Sequence, residues 1–258
     1  MCFVNLSPQI SPWYIKNMTN EAEFLISIVK AASKISEEHF DVKQKGTEGD
    51  LVTNLDLKIE EFLINEIRKQ YPDFDIISEE FNANSGVTDN CFIIDPIDGT
   101  INFANNLPLW GIQVCMRKDG KPVASVIYLP RINELYYADK TGAYLNGEAI
   151  HSNEVPIKNT LYAIDGTNNL PSMQRMRPYS SNRRNLGAVC VSLAFTAAGR
   201  LHGAVFRSDK PWDYEPGLFL CQMAGAKTKS IPGFHAAAMN QEFLDILELE
   251  TAKKLDQE

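Results

Sequence analysis

The stretch Cys91-Phe92-Ile93-Ile94-Asp95-Pro96-Ile97-Asp98-Gly99-Thr100 decides how the rest of the chain is read. Its first four residues form an apolar run of the kind that makes a buried strand, so two carboxylates, Asp95 and Asp98, emerge together where that strand ends. They stand three residues apart with Pro96 stiffening the interval. Their oxygens can therefore bend toward one point, as a hard divalent cation requires. Gly99 permits close approach of the backbone to a ligand. Thr100 adds a hydroxyl at the expected start of a helix, where exposed amides suit a phosphate. Two oxygen ligands beside an anion cradle imply metal-assisted phosphate chemistry.

Upstream of this stretch, apolar residues recur at helical spacing from Glu21 to Phe40 through Phe24, Ile28, Ala32 and Ile35. A second amphipathic helix is expected over Leu57 to Gln70, with Ile59, Phe62, Leu63 and Ile67 on one side, Asn54 or Thr53 as its cap and Pro72 beyond its end. Phe74 to Ile77 reads as a short strand running into Ser78-Glu79-Glu80. Downstream, strands over Gly111 to Arg117 and Pro122 to Leu129 flank Asp119-Gly120, a hairpin signal. Strands over Glu134 to Ala138 and Ala143 to Ile150 follow, the latter around Asn146-Gly147. Two helices followed by an antiparallel meander predict a layered α+β half.

The second half is patterned less sharply. Strands are expected at Leu161 to Ile164, His202 to Phe206 and Ala236 to Met239, and helices at Val189 to Ala198, Glu215 to Met223 and Gln241 to Leu255. Between Ser172 and Gly187 lie Arg175, Arg177, Arg183 and Arg184 with no acid among them. They form either a solvated basic loop or an anion site.

Composition bounds the possibilities. The 258 residues can build a substantial core, with 44% apolar and 22% charged residues as in ordinary globular proteins. A net charge of −8 argues against a nucleic-acid polymer or an anionic membrane as partner. Cys2, Cys91, Cys115, Cys190 and Cys221 are odd in number and lack a CxxC pair. They are expected to be thiols, four of them buried, in a reducing cytosol. No segment reaches the roughly 20 apolar residues of a membrane span. The first seventeen residues lack the pattern of a signal peptide and read as a loose extension.

Further acids complete the pattern. Glu79 follows an apolar strand as Asp95 does, and Asp213 is set in Lys210-Pro211-Trp212-Asp213. Taken alone, Glu79 and Glu80 could be surface acids, and Asp56 and Asp213 could be helix caps. With these motifs in register, the chain resembles the inositol monophosphatase family of magnesium-dependent, lithium-sensitive phosphatases. The resemblance rests on Asp95-Pro96-Ile97-Asp98-Gly99-Thr100-Ile101-Asn102-Phe103, Lys210-Pro211-Trp212-Asp213, Ser78-Glu79-Glu80 and Asp50-Leu51-Val52-Thr53-Asn54-Leu55-Asp56. It runs from about Glu21 to the C-terminus.

The resemblance implies two or three Mg²⁺ ions per site. Glu79, Asp95 and the carbonyl of Ile97 would hold one, Asp95, Asp98 and Asp213 a second, and Glu79 with water a third. Thr100, oriented by Asp56, would position the attacking water. The amides of Gly99 and Thr100 would bind phosphate near Lys45, and Gly187 and Val189 match substrate-pocket positions. His39, His151, His202 and His235 occur in none of these motifs, so no histidine nucleophile is expected.

The implied fold is a layered α/β/α/β/α sandwich. An extension over 1–18 precedes an N-terminal α+β half (19–150) with the metal motifs and a C-terminal α/β half (151–258) completing the site. The expected activity is that of a cytosolic, homodimeric Mg²⁺-dependent phosphomonoesterase acting on a small phosphorylated metabolite. A bisphosphate phosphatase and a non-catalytic phosphate-binding protein are the alternatives. Where inositol-specific members carry a sugar-binding glutamate, seven residues before the Trp-Asp aspartate, this chain has Phe206 followed by Arg207. That departure favours a second phosphate, held by Arg207, Arg183 and Arg184, over a bare polyol. Strand alternation allows only one of residues 206 and 207 to face the pocket.

Overall fold

In the computed structural model, residues 18–44, 51–165 and 174–251 are described. Helix α1 (Asn20–Ser33) begins at Thr19, whose hydroxyl accepts the Ala22 N–H. It ends before Phe40, because Lys34–Glu37 tightens into a 3-10 turn. Its buried side is Leu25, Ile26, Ile28, Val29 and Ala32, with Phe24 and Ile35 only partly covered. Strands β1 (Val42–Gln44) and β2 (Leu51–Thr53), which the sequence did not announce, pair antiparallel. They lead into helix α2 (Asn54–Gln70). Thr53 is its cap: Oγ1 accepts from the amides of Leu55 and Asp56, and the Asp56 carboxylate accepts the Thr53 N–H at 2.9 Å. This reciprocal arrangement satisfies amides that the first helical turn leaves open.

A seven-stranded sheet follows in the spatial order β3 (Asp75–Ser78), β4 (Cys91–Asp98), β5 (Gly111–Lys118), β6 (Lys121–Leu129), β7 (Glu134–Asp139), β8 (Gly142–Leu145), β9 (Glu148–Ala149). Between β4 and β5 the chain makes a short helix, α3 (Thr100–Ala104). β3 and β4 run parallel, and the later neighbours are antiparallel. A turn falls at Asp119-Gly120 as predicted, and a second at Asn146-Gly147 divides the single strand expected over Ala143 to Ile150 into β8 and β9. All four residues have positive φ (52°, 77°, 50° and 89°), the pairing that matches strand twist in two-residue hairpins.

Each face of this sheet meets helices. On one side Phe92, Ile94, Val114 and Val126 pack with Leu25 and Val29 of α1 and Ile59 and Leu63 of α2. On the other, Ile127, Leu129, Tyr136 and Ala138 pack against α4 (Val189–Ala197) and α5 (Pro211–Met223). These two helices approach so closely that a Cβ at Gly217 would overlap Leu193. Beneath them lies a five-stranded sheet in the order β11 (Asn182–Arg184), β10 (Leu161–Asp165), β12 (Gly203–Phe206), β14 (Phe234–Ala238), β13 (Lys227–Ile231). Its outer face is covered by α6 (Gln241–Thr251) through Phe243, Leu244 and Leu247.

The stack is therefore α/β/α/β/α. Cys91, Cys115, Cys190 and Cys221 are buried free thiols, as expected. Among the described residues, no helix is long and apolar enough to cross a membrane.

Candidate active site

β4 does not stop at Ile94 but runs through the acidic motif to Asp98. Asp95 pairs with Gln113 and Asp98 with Gly111, so three steps along β4 face two along β5. The extra residue is a bulge. In a regular strand, residues three apart point to opposite faces. The bulge, between Asp95 and Asp98 where Pro96 lacks an N–H, cancels that alternation and lets both carboxylates serve one neighbourhood. The parallel pairing of Ser78 with Ile94 sets Glu79, the first residue beyond β3, level with Asp95 in β4.

The fourth acid arrives from the layer below. α5 starts at Pro211, not near Pro216 as the sequence suggested, and Pro216 lies inside it. A proline at the first helical position gives up no hydrogen bond. Trp212 is buried against Ile77, Cys91, Ile93 and Cys115, which pins the first turn beneath β3, β4 and β5. Asp213 is thus in the first turn and is not the cap, which is Lys210.

The electrostatics follow from this assembly. Asp95 is 1% exposed, and burial, then the charges of Glu79, Asp98 and Asp213, lift its pKa well above the usual carboxylate range. Burial and then Asp213 raise Asp98 to about 7. Burial raises Asp213 to about 6, although the Ser208 hydroxyl donates to its Oδ2 at 2.5 Å. Asp98 Oδ2 accepts the Cys190 N–H in the first turn of α4.

Among the described residues, Asp95 Oδ1 is buried with no hydrogen-bond partner, and Oδ2 has Gln113 Nε2 at 3.4 Å. An orphaned buried oxygen among acids fits a hard cation. Among the described residues no group of three His, Cys, Asp or Glu side chains closes to a geometry that would hold an ion. Mg²⁺ is normally held by only one or two carboxylates, with waters and substrate phosphate completing its shell, so this donor set suits it.

Thr100 is the first residue of α3. Its Oγ1 lies 3.0 Å from the Ile97 carbonyl and 3.5 Å from Asp56 Oδ1, so its single proton serves the nearer oxygen. Asp56 is buried, which raises its pKa to about 6 against the opposing hydrogen bonds from Thr53. Gly99 caps α3 with φ 90°, and a Cβ there would stand 2.8 Å from Ala188 Cβ. Only glycine lets the starts of α3 and α4 meet. Gly187 is exposed just before α4, whose first residue is the half-buried Val189. Lys45 lies outside the described residues.

Three residues that the sequence reading did not single out tie these pieces together. Asp165, at the end of β10, is 3% exposed. It accepts from the Ser192 hydroxyl and from the amides of Leu186 (3.2 Å) and Gly187 (3.4 Å). Asn102 Nδ2 donates to the carbonyls of Leu109 and Leu186 at 2.6 and 2.8 Å, joining α3 to the segment before α4. Ser208 holds Asp213. Asp165 carried a usable signal, an acid after an apolar strand like Asp95 after Ile94, whereas Asn102 and Ser208 had none.

Phe206 is 2% exposed and stacks on His235 with ring centroids 5.4 Å apart. Arg207 Nη2 instead donates to the Thr251 carbonyl at the end of α6. The guanidinium is thus committed to α6. Arg175 similarly donates to the Glu250 carbonyl at 2.8 Å, while Arg183 and Arg184 lie on strand β11.

A sequence profile described as the inositol monophosphatase family matches residues 16–244. A Thermotoga maritima protein named fructose-1,6-bisphosphatase/inositol-1-monophosphatase is 33% identical over 210 residues, covering 79% of this chain and 80% of its own. The Nus factor SuhB of Escherichia coli K12 is 32% identical over 209 residues, covering 76% and 77%. Among solved structures, a Thermotoga maritima IMPase superposes with a TM-score of 0.83 at 26% identity, covering 91% of this chain and 98% of that one.

Proposed function

Because the chain belongs to the inositol monophosphatase family and is a phosphoric monoester hydrolase, we propose that it is a Mg²⁺-dependent phosphomonoesterase. It would cleave a small phosphorylated metabolite by direct attack of water. The observation that most supports this reading is the buried Asp95 Oδ1, without a partner among the described residues, in the field of Glu79, Asp98 and Asp213. Like charges so placed take up protons unless a cation balances them, and a cation lets them stay ionised.

In this reading Glu79, Asp95 and the Ile97 carbonyl would hold one ion, Asp95, Asp98 and Asp213 a second, and Glu79 with water a third. The Ile97 carbonyl keeps a lone pair beyond the one taken by Thr100. Bound Mg²⁺ supplies neutralisation of the phosphate charge and a more acidic water. The protein's own groups then orient the reactants. Asp56, fixed by Thr53, faces the Thr100 hydroxyl, and together they aim the attacking water. The amides of Gly99 and Thr100, at the open end of α3, hold the phosphate oxygens. Gly187 and Val189 line the side where the rest of the substrate lies, and Lys45 adds a positive charge.

A bisphosphate substrate is the second reading. It is favoured by the Thermotoga maritima relative, whose name joins both activities. Arg183 and Arg184 are then the candidates for the second phosphate, since Arg207 is engaged with α6. The proposal includes a cytosolic homodimer, which fractionation and light scattering test.

The decisive experiment is a phosphate-release panel covering inositol 1-phosphate, fructose 1,6-bisphosphate, histidinol phosphate and adenosine 3′,5′-bisphosphate. EDTA is expected to abolish turnover and Mg²⁺ to restore it. Full turnover in EDTA refutes the proposal.

A further inference from the structure

Glu60 is a fully buried carboxylate on α2 that the roles above leave unused. Three donors converge on it: the Ser78 hydroxyl at 2.5 Å and the Phe81 N–H at 2.7 Å on Oε1, and the Glu80 N–H at 2.8 Å on Oε2. Ser78 Oγ in turn accepts from Asn82 Nδ2 at 3.1 Å. The residues so held, Ser78 and Glu80, are the two neighbours of Glu79. The carboxylate thus folds the chain leaving β3 around the acid whose charge acts on Asp95.

We propose that Glu60 is a positioning residue that fixes the Ser78–Phe81 turn and thereby sets Glu79 against Asp95. This rests on the reading of Glu79 and Asp95 as Mg²⁺ ligands. Two of the three groups facing Glu60 are backbone amides, one on each oxygen, so both oxygens must accept. A glutamine of the same shape turns an NH₂ group toward one of those amides. That amide then loses its buried partner, and the turn is no longer held on both sides of Glu79. Partners that orient a metal ligand typically change affinity by about 10–100-fold when altered.

The test compares the whole protein with Glu60→Gln, using Mn²⁺ alone as the probe and no substrate. Titration followed by electron paramagnetic resonance is expected to show Mn²⁺ binding weakened by about 10–100-fold. Hydrogen exchange is expected to show faster exchange at the Glu80 and Phe81 amides. The Mg²⁺ concentration for half-maximal phosphate release should rise in parallel, with kcat at saturating Mg²⁺ close to wild type.

Leu63→Ala, a core truncation on the same helix, serves as the structural control. It should lower Tm while leaving Mn²⁺ affinity unchanged. If Glu60→Gln does not fold, Ser78→Ala removes one donor and should shift affinity the same way by less. Native Mn²⁺ affinity in a folded Glu60→Gln, or an equal loss in Leu63→Ala, overturns the inference. A wild-type protein that binds no Mn²⁺ overturns the ligand assignment beneath it instead.

Discussion

Replacing Asp95 by asparagine should make the metal-free protein more stable while removing its response to Mg²⁺. Without metal, the wild-type fold buries the Asp95 carboxyl group with one oxygen that has no partner among the described residues, and burial and then Glu79, Asp98 and Asp213 push its pKa up. An unsatisfied buried polar atom costs about 1–3 kcal/mol, and more when charged. The Asp95→Asn side chain has the same shape. Its oxygen can keep the Gln113 contact while its NH₂ group turns toward Glu79, Asp98 and Asp213. For a chain of this size each kcal/mol moves Tm by about 2–4 °C, so the variant should melt roughly 2–12 °C higher in EDTA at pH 8.

The pH dependence has a fixed sign. Asp95, Asp98 and Asp213 all have folded pKa values above their ordinary 3.8, with Asp98 at about 7 and Asp213 at about 6. The fold therefore binds protons that the unfolded chain releases. Metal-free wild-type protein loses stability as pH rises from about 4 to about 7, and the advantage of the variant should shrink toward pH 5. Mg²⁺ at a hundred times its dissociation constant should add about 2.7 kcal/mol to the wild type and far less to the variant. Calorimetry in EDTA and in Mg²⁺ at pH 5 and pH 8 measures all of this. A variant less stable than wild type in EDTA at pH 8, or an advantage that grows toward pH 5, would refute the reasoning.

Thr53→Val removes the cap of α2 and should cost about 1–2 kcal/mol in denaturant unfolding. The same change removes the Thr53 hydroxyl's hydrogen bond, one of those that lower the pKa of Asp56 from the value burial alone would give, and leaves the backbone N–H bond in place. The acid limb of the kcat/KM profile should therefore move to higher pH, and an unmoved limb removes Asp56 from the reaction. Phe206→Glu should lower Tm sharply without raising turnover of inositol 1-phosphate, because it places a carboxylate in the core against His235. A stable variant with increased inositol phosphatase activity contradicts the placement of that side chain.

Features set by neighbouring residues were legible in the sequence. Thr53 and Asp56 are three residues apart and satisfy each other at the start of α2, so the cap is local chemistry. Asp119-Gly120 and Asn146-Gly147 carry their own backbone preference, and the hairpins fall there. The acidic motif stands out in the sequence because Asp95, Asp98, Gly99 and Thr100 are close enough along the chain to be read together. The edge strands β11 and β13 were not legible. Their residues are polar and partly exposed, and only pairing with β10 and β14 makes them strands. The start of α5 is not legible because Pro211 and Pro216 compete for it, and Trp212 decides the matter by burying itself beneath three strands.

The composition of the site follows from the sequence, but its geometry depends on contacts between distant segments. That Asp95 and Asp98 share a side depends on a bulge defined by β5, and that Glu79 stands level with Asp95 depends on the register of β3. Glu60 lies 18 residues from Ser78, and Asp165 lies 22 from Gly187. Carboxylates buried so far along the chain from their donors leave no periodic or local trace. Their partners are chosen by the packing of the layers, which exists only once the chain has folded.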